Sequence, residues 1–85
     1  MNHTCSRLPA LRQFLDGRGW KYEYNEPDGL GSIDFSYRGV SYHIWEYEED
    51  DGSCGVETNV RHGGRVEEIT GDYETEIISE LGNWH

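Results

Sequence analysis

Basic residues are scarce in this chain: seven Lys and Arg stand against seventeen Asp and Glu, for a formal net charge of -10. That balance excludes the basic footprint of a direct nucleic-acid binder, because counterion release on phosphate neutralisation supplies most non-specific affinity. Cysteine occurs twice, at Cys5 and Cys54. Two cysteines without an export signal make a poor disulfide framework, so both are expected to be thiols in a reducing compartment. Long apolar runs are missing too. The opening stretch "MNHTCSRLPALRQFL" has neither the core of a signal peptide nor the length of a membrane span, so a cytoplasmic location without membrane contact is expected.

Catalytic and metal signatures are equally thin. No G-x-S-x-G elbow occurs, and "GRG", "DGLGS" and "HGGR" lack the strand-to-helix context of a phosphate cradle. A structural zinc site needs four ligands, commonly in two close pairs. Here only His3-x-Cys5 is close, while Cys54 and His62 would lie roughly 26 Å apart along one strand. The "EEDDGS" run has no alternating oxygen ligands and no distal bidentate Glu of a calcium hand. No cofactor, no metal and no catalytic group is expected, and the protein is read as a non-enzyme.

What is present begins with aromatics: three Trp, six Tyr and two Phe in 85 residues. Such side chains bring large buried areas to a chain that, as a single domain over residues 1–85, hides only roughly 60% of its unfolded surface. In "SRLPALRQFLDGRG", Leu8, Leu11, Phe14 and Leu15 recur at helical spacing, with Ser6 as the expected N-cap, Pro9 in the first turn, and Gly17 and Gly19 as the stop. From Trp20 the period becomes two. Trp20, Tyr22 and Tyr24 share a face; Ile33, Phe35 and Tyr37 alternate with Asp34, Ser36 and Arg38; and after Arg38-Gly39 come Val40, Tyr42 and Ile44. Cys54, Val56, Thr58 and Val60 make a fourth strand, Val66 to Ile69 leaves a fifth open, and Tyr73, Ile77, Ile78 and Leu81 form a second apolar helix stripe, capped by Thr70 or Asp72 and ended by Gly82.

The expected fold is a small α+β domain: an N-terminal helix, about four antiparallel strands and a C-terminal helix, both helices on one sheet face. Alternation then leaves Lys21, Glu23, Asp34, Ser36, Ser41, His43, Trp45, Tyr47, Glu57, Asn59 and Arg61 on the opposite face. Charge divides along the chain, +3 over residues 1–21 and -13 over residues 22–85. The bases near the first helix, Arg7, Arg12, Arg18 and Lys21, read as a solvated helix face.

The stretch "WEYEEDDG" concentrates the candidate site. Trp45 and Tyr47 are interface anchors of the kind enriched at hot spots, and Glu46, Glu48, Glu49, Asp50, Asp51 and Glu57 are the carboxylates set to meet a basic protein partner. Same-face strand residues lie roughly 6.6 Å apart, comparable with two phosphate steps of about 3.4 Å, so carboxylates on strands can imitate a nucleic acid before a basic groove. The partner expected is therefore a nucleic-acid-binding protein, inhibited by occupancy. In general character, small, very acidic and Tyr-rich without catalytic or metal signature, the chain resembles inhibitors encoded by phages and mobile elements, such as anti-CRISPR and anti-restriction proteins. That likeness is one of composition over the whole chain and assigns no residue. Two other readings compete: a small enzyme or ligand-binding domain around His43, which could meet Glu57, and a homodimer formed through sheet edges or through Trp45, Tyr47 and Trp84.

Overall fold

The computed structural model describes residues 5–84. Helix α1 (Pro9–Arg18) leads into β1 (Glu23–Asn25), β2 (Ser32–Tyr37), β3 (Val40–Glu48), β4 (Cys54–Thr58) and β5 (Glu67–Thr70), and helix α2 (Tyr73–Leu81) follows. The strands form one antiparallel sheet in the order β1-β2-β3-β4-β5, so each pairs with its neighbour in sequence. The fold is α+β with five strands rather than about four. β5 pairs with β4 from Gly55↔Thr70 to Thr58↔Glu67, yet buries only Ile69, which is why its periodic signal is weak.

The β2–β3 hairpin turns on Arg38 and Gly39, both at positive φ (52° and 82°), as a two-residue turn that follows the right-handed strand twist requires. The first strand is shorter than its alternation implies, with regular pairing only from Glu23. Ser6 does not cap α1. The residue before the helix is Leu8, in the left-handed region, and the Leu11 N–H that a cap would satisfy donates instead to Glu74 Oε2 of α2 at 2.9 Å. Ser6 donates its hydroxyl to the other oxygen of the same carboxylate, 3.3 Å away. The cap is thus supplied across the helix pair. Gly19, at φ 71°, closes α1 as expected, whereas Gly82 ends α2 in right-handed geometry and Asp72 makes no side-chain cap.

Both helices cover the same sheet face. Leu8, Leu11 and Leu15 join Ile77 and Leu81 over Ile33, Ile44 and Val56, and all eight side chains are fully buried. Each such side chain contributes about 1.5–3 kcal/mol relative to exposure, so this layer supplies the main driving force. Where the helices end, Trp20, Phe35, Tyr37, Tyr42 and Trp84 extend it as packed rings, for example Tyr42 and Trp84 at 4.8 Å between centroids.

One inward position of β3 is acidic. Glu46 is buried at 5% exposure, and its carboxylate accepts hydrogen bonds from the Gly31 N–H (2.9 Å), the Arg7 N–H (3.1 Å to Oε1) and the Tyr73 hydroxyl (2.6 Å). A buried charge is tolerable only with such donors. Burial, followed by the bond to Glu46, raises the Tyr73 phenol well above its ordinary pKa. The Arg7 N–H reaches Glu46 because Arg7 and Leu8 both adopt positive φ (70° and 58°), a conformation disfavoured for side chains with a Cβ. Gly31 makes room: a Cβ there would lie 3.0 Å from the Arg7 backbone.

Cys5 and Cys54 are not thiols but a disulfide, with Cα atoms 5.6 Å apart. The turn at Arg7–Leu8 carries the preceding segment back across the end of the sheet, and a contact made that way leaves no trace in sequence spacing. Of the close pair considered for a metal, His3 lies outside the described residues and Cys5 is committed to the bridge.

Two stability measurements check this picture. Glu46→Gln sets an amide donor against N–H donors and should lower the unfolding free energy by about 2–4 kcal/mol in denaturant titration, while Glu49→Gln changes it by less than about 0.5 kcal/mol. Replacing both cysteines by serine should cost about 4 kcal/mol, the loop-closure value for a 49-residue separation, and make the melting curve insensitive to reductant.

Candidate functional site: an acidic sheet face around Trp45

The face of the sheet away from the helices is built by strand alternation. Along β3, Ile44 and Glu46 point into the core, so His43 and Trp45 point out. Register then sets their neighbours: Asp34 stands opposite His43, Glu57 opposite Trp45, Glu68 opposite Glu57, and Glu23 opposite Asp34. Carboxylates therefore flank an aromatic centre from β2 on one side and from β4 and β5 on the other. Like charges directly opposite one another disfavour the sheet, as at Glu57 and Glu68. That cost falls on the same face that exposes a tryptophan.

Trp45 is 43% exposed yet held in place. Its indole N–H donates to Asp34 Oδ1 at 3.1 Å, and its ring packs against the His43 imidazole at 4.2 Å between centroids. The His43 backbone is fixed in turn, its N–H donating to Asn59 Oδ1 at 2.9 Å. His43 Nε2 is shielded from solvent and lies 3.3 Å from Glu57 Oε2, without the alignment of a hydrogen bond. The contact becomes an ion pair only when the imidazole is protonated. A shallow groove of about 640 Å³ beside this centre is lined by Lys21, Glu23, Asp34, Ser36 and Ser41, among others; His43 does not line it.

The residues nominated from the sequence fall into three groups. Trp45 and Glu57 sit together on the open face. Tyr47 shares that face but lies over Gly55, where a Cβ would be 2.7 Å from its hydroxyl oxygen; burial first, then the Glu68 and Glu49 carboxylates, push its phenol up. Glu46 is interior and unavailable to a partner, and Glu48 is half-buried at the end of β3 on the inward register. Glu49, Asp50 and Asp51 form the exposed β3–β4 loop. That loop is ordered: Glu49 N–H donates to the Ser53 carbonyl at 2.8 Å, and the Ser53 backbone N–H, then its hydroxyl, hold the Asp51 carboxyl below its usual range.

Asp34 and Glu68 complete the face. Asp34 was legible as an outward carboxylate, although its hold on the indole was not; Glu68 could be placed only once β5 was known to pair with β4. Lys21 borders this face in the groove, while three of the arginines are engaged elsewhere. Arg12 lies over the Tyr24 ring at 4.2 Å, Arg18 over Phe14 at 4.8 Å, and Arg61 binds Glu67 at 2.8 Å. Among the described residues, no group of three or more His, Cys, Asp or Glu side chains is placed to hold a metal ion.

Tyr47 and Gly55 offer a test of how rigid this face is. Gly55→Ala should cost about 1–3 kcal/mol by overpacking, and because the Ile69 carbonyl is also 2.9 Å from the added Cβ, Tyr47→Ala should relieve only part of it. A double-mutant cycle on unfolding free energies measures the coupling.

Comparison with protein-family models, curated proteins and solved structures finds no match to the chain.

Proposed function

We propose that this is a non-catalytic binding protein that docks on the basic, nucleic-acid-binding surface of another protein and inhibits it by occupancy, in the manner of phage-type anti-CRISPR and anti-restriction inhibitors. The observation that carries the reading is the uncovered sheet face, where a half-exposed Trp45 stands among Asp34, Glu57, Glu68 and Glu23. An aromatic anchor supplies contact area and the surrounding carboxylates supply complementarity and steering toward positive charge. The same carboxylates repel phosphates, so the partner is the protein and not its nucleic acid. The acidic loop at Glu49, Asp50 and Asp51 extends the negative field and serves encounter more than docking, since it lacks an aromatic anchor.

Among the described residues no helix is long and apolar enough to cross a membrane. A cytoplasmic site of action would need the Cys5–Cys54 bridge to withstand cellular reductants, and disulfides of that kind are rare in the cytosol of mesophiles.

Capture from a lysate of the source cells, at low and at high salt, tests the proposal. Trp45→Ala combined with Glu57→Gln should abolish capture of the basic partner, while replacing Glu48, Glu49, Asp50 and Asp51 by Ser should mainly slow association. With the partner in hand, the association rate should fall steeply as salt shortens the screening length from about 30 Å at 0.01 M to about 10 Å at 0.1 M. A rate indifferent to salt would remove the mimicry reading.

A further inference from the structure

We infer that the centre of this face is a receptor for one arginine side chain of the partner, its guanidinium lying on the Trp45 indole between Asp34 and Glu57. The inference rests on the function proposed above and names the chemistry of its central contact.

Three features converge on arginine. The indole is presented rather than loose: Asp34 holds its N–H and His43 packs against its ring, while 43% of the residue stays open to solvent. Among aromatic side chains, tryptophan presents the face that attracts a cation most strongly. Next, the two carboxylates come from opposite sides. Asp34 belongs to β2 and Glu57 to β4, and cross-strand neighbours on one sheet face have Cβ atoms about 4.5–5.5 Å apart. Asp34 Oδ1 accepts a hydrogen bond from the indole N–H and Glu57 Oε2 lies against His43, so both carboxylates are held beside the ring. Finally, a planar guanidinium can stack on the ring and still direct N–H groups outward at both edges, which a lysine ammonium, a compact point charge, cannot.

The competing occupants fit less well. A phosphate or nucleobase chain would meet Glu23, Asp34, Glu57 and Glu68 with the wrong charge, and a second copy of a chain with net charge -10 would do the same. His43 is the imidazole already packed on the ring and set 3.3 Å from Glu57, so the ligand stacks on the exposed part of the indole and not in the place that His43 fills.

The 85-residue, disulfide-intact chain, labelled with ¹⁵N, is titrated with oligoarginine and with oligolysine of equal length. Oligoarginine should bind about 3- to 10-fold more tightly than oligolysine and move the Trp45 indole N–H resonance first. Trp45→Leu should erase that preference, Trp45→Phe should keep part of it, and Asp34→Asn and Glu57→Gln should each weaken oligoarginine binding several-fold. Unfolding curves establish that each variant is folded. Equal affinities for the two oligomers, or shifts confined to Glu49, Asp50 and Asp51 with the indole unmoved, would overturn the arginine site and leave the acidic-binding reading standing. Failure of both oligomers to bind at low salt would sink both.

Discussion

A single buried carboxylate ties together parts of the chain that are otherwise far apart. Glu46 binds the Arg7 N–H from the segment before α1, the Gly31 N–H from the approach to β2, and the Tyr73 hydroxyl from the first turn of α2. The left-handed backbone at Arg7 and Leu8, the absence of a side chain at Gly31 and the burial of Tyr73 become intelligible together, as the geometry that lets three donors converge on one pair of oxygens. Apolar packing explains why the helices lie on the sheet; Glu46 explains why the N-terminal segment crosses it where it does.

β3 serves both sides of the molecule. Its even-numbered residues Ile44 and Glu46 belong to the interior, and its odd-numbered neighbours His43 and Trp45 to the open face, so one strand couples the best-anchored part of the core to the most exposed aromatic. This places Trp45 on a rigid element. A receptor surface built so needs little ordering on binding, which preserves affinity that a loop would lose. The like-charge pairs at Glu23↔Asp34 and Glu57↔Glu68 run the other way, since they disfavour the free sheet. A cationic occupant would relieve them.

Much of this architecture could be read from residue order, and the exceptions are instructive. α1 and the β2–β3 hairpin were legible because their apolar residues repeat strictly and Arg38-Gly39 is a recognisable turn. β5 was not, since four residues with one inward apolar side chain carry almost no period. Trp45 and Glu57 could be assigned to one face by parity alone. The same parity puts Glu46 on the Ile44 side, but its burial was not legible, because a buried acid needs donors and two of its three are backbone groups from remote segments. The thiol reading of Cys5 and Cys54 failed for a different reason: it rested on an expected reducing compartment, whereas the bridge follows from a tertiary contact that two consecutive left-handed residues, neither a glycine, make possible.

The bridge also changes what the chain is as a covalent object. From Cys5 to Cys54 it closes a ring that contains α1, β1, β2, β3 and the acidic loop, leaving the part of β4 beyond Cys54, together with β5 and α2, on a tail outside. A protease that cuts within that loop opens the ring without releasing either piece. Both halves of the sheet stay joined through sulfur, and the strand that carries Trp45 remains tethered to the one that carries Glu57. The exposed tip of the molecule is thus a place where the backbone can be severed and the open sheet face still held as one unit.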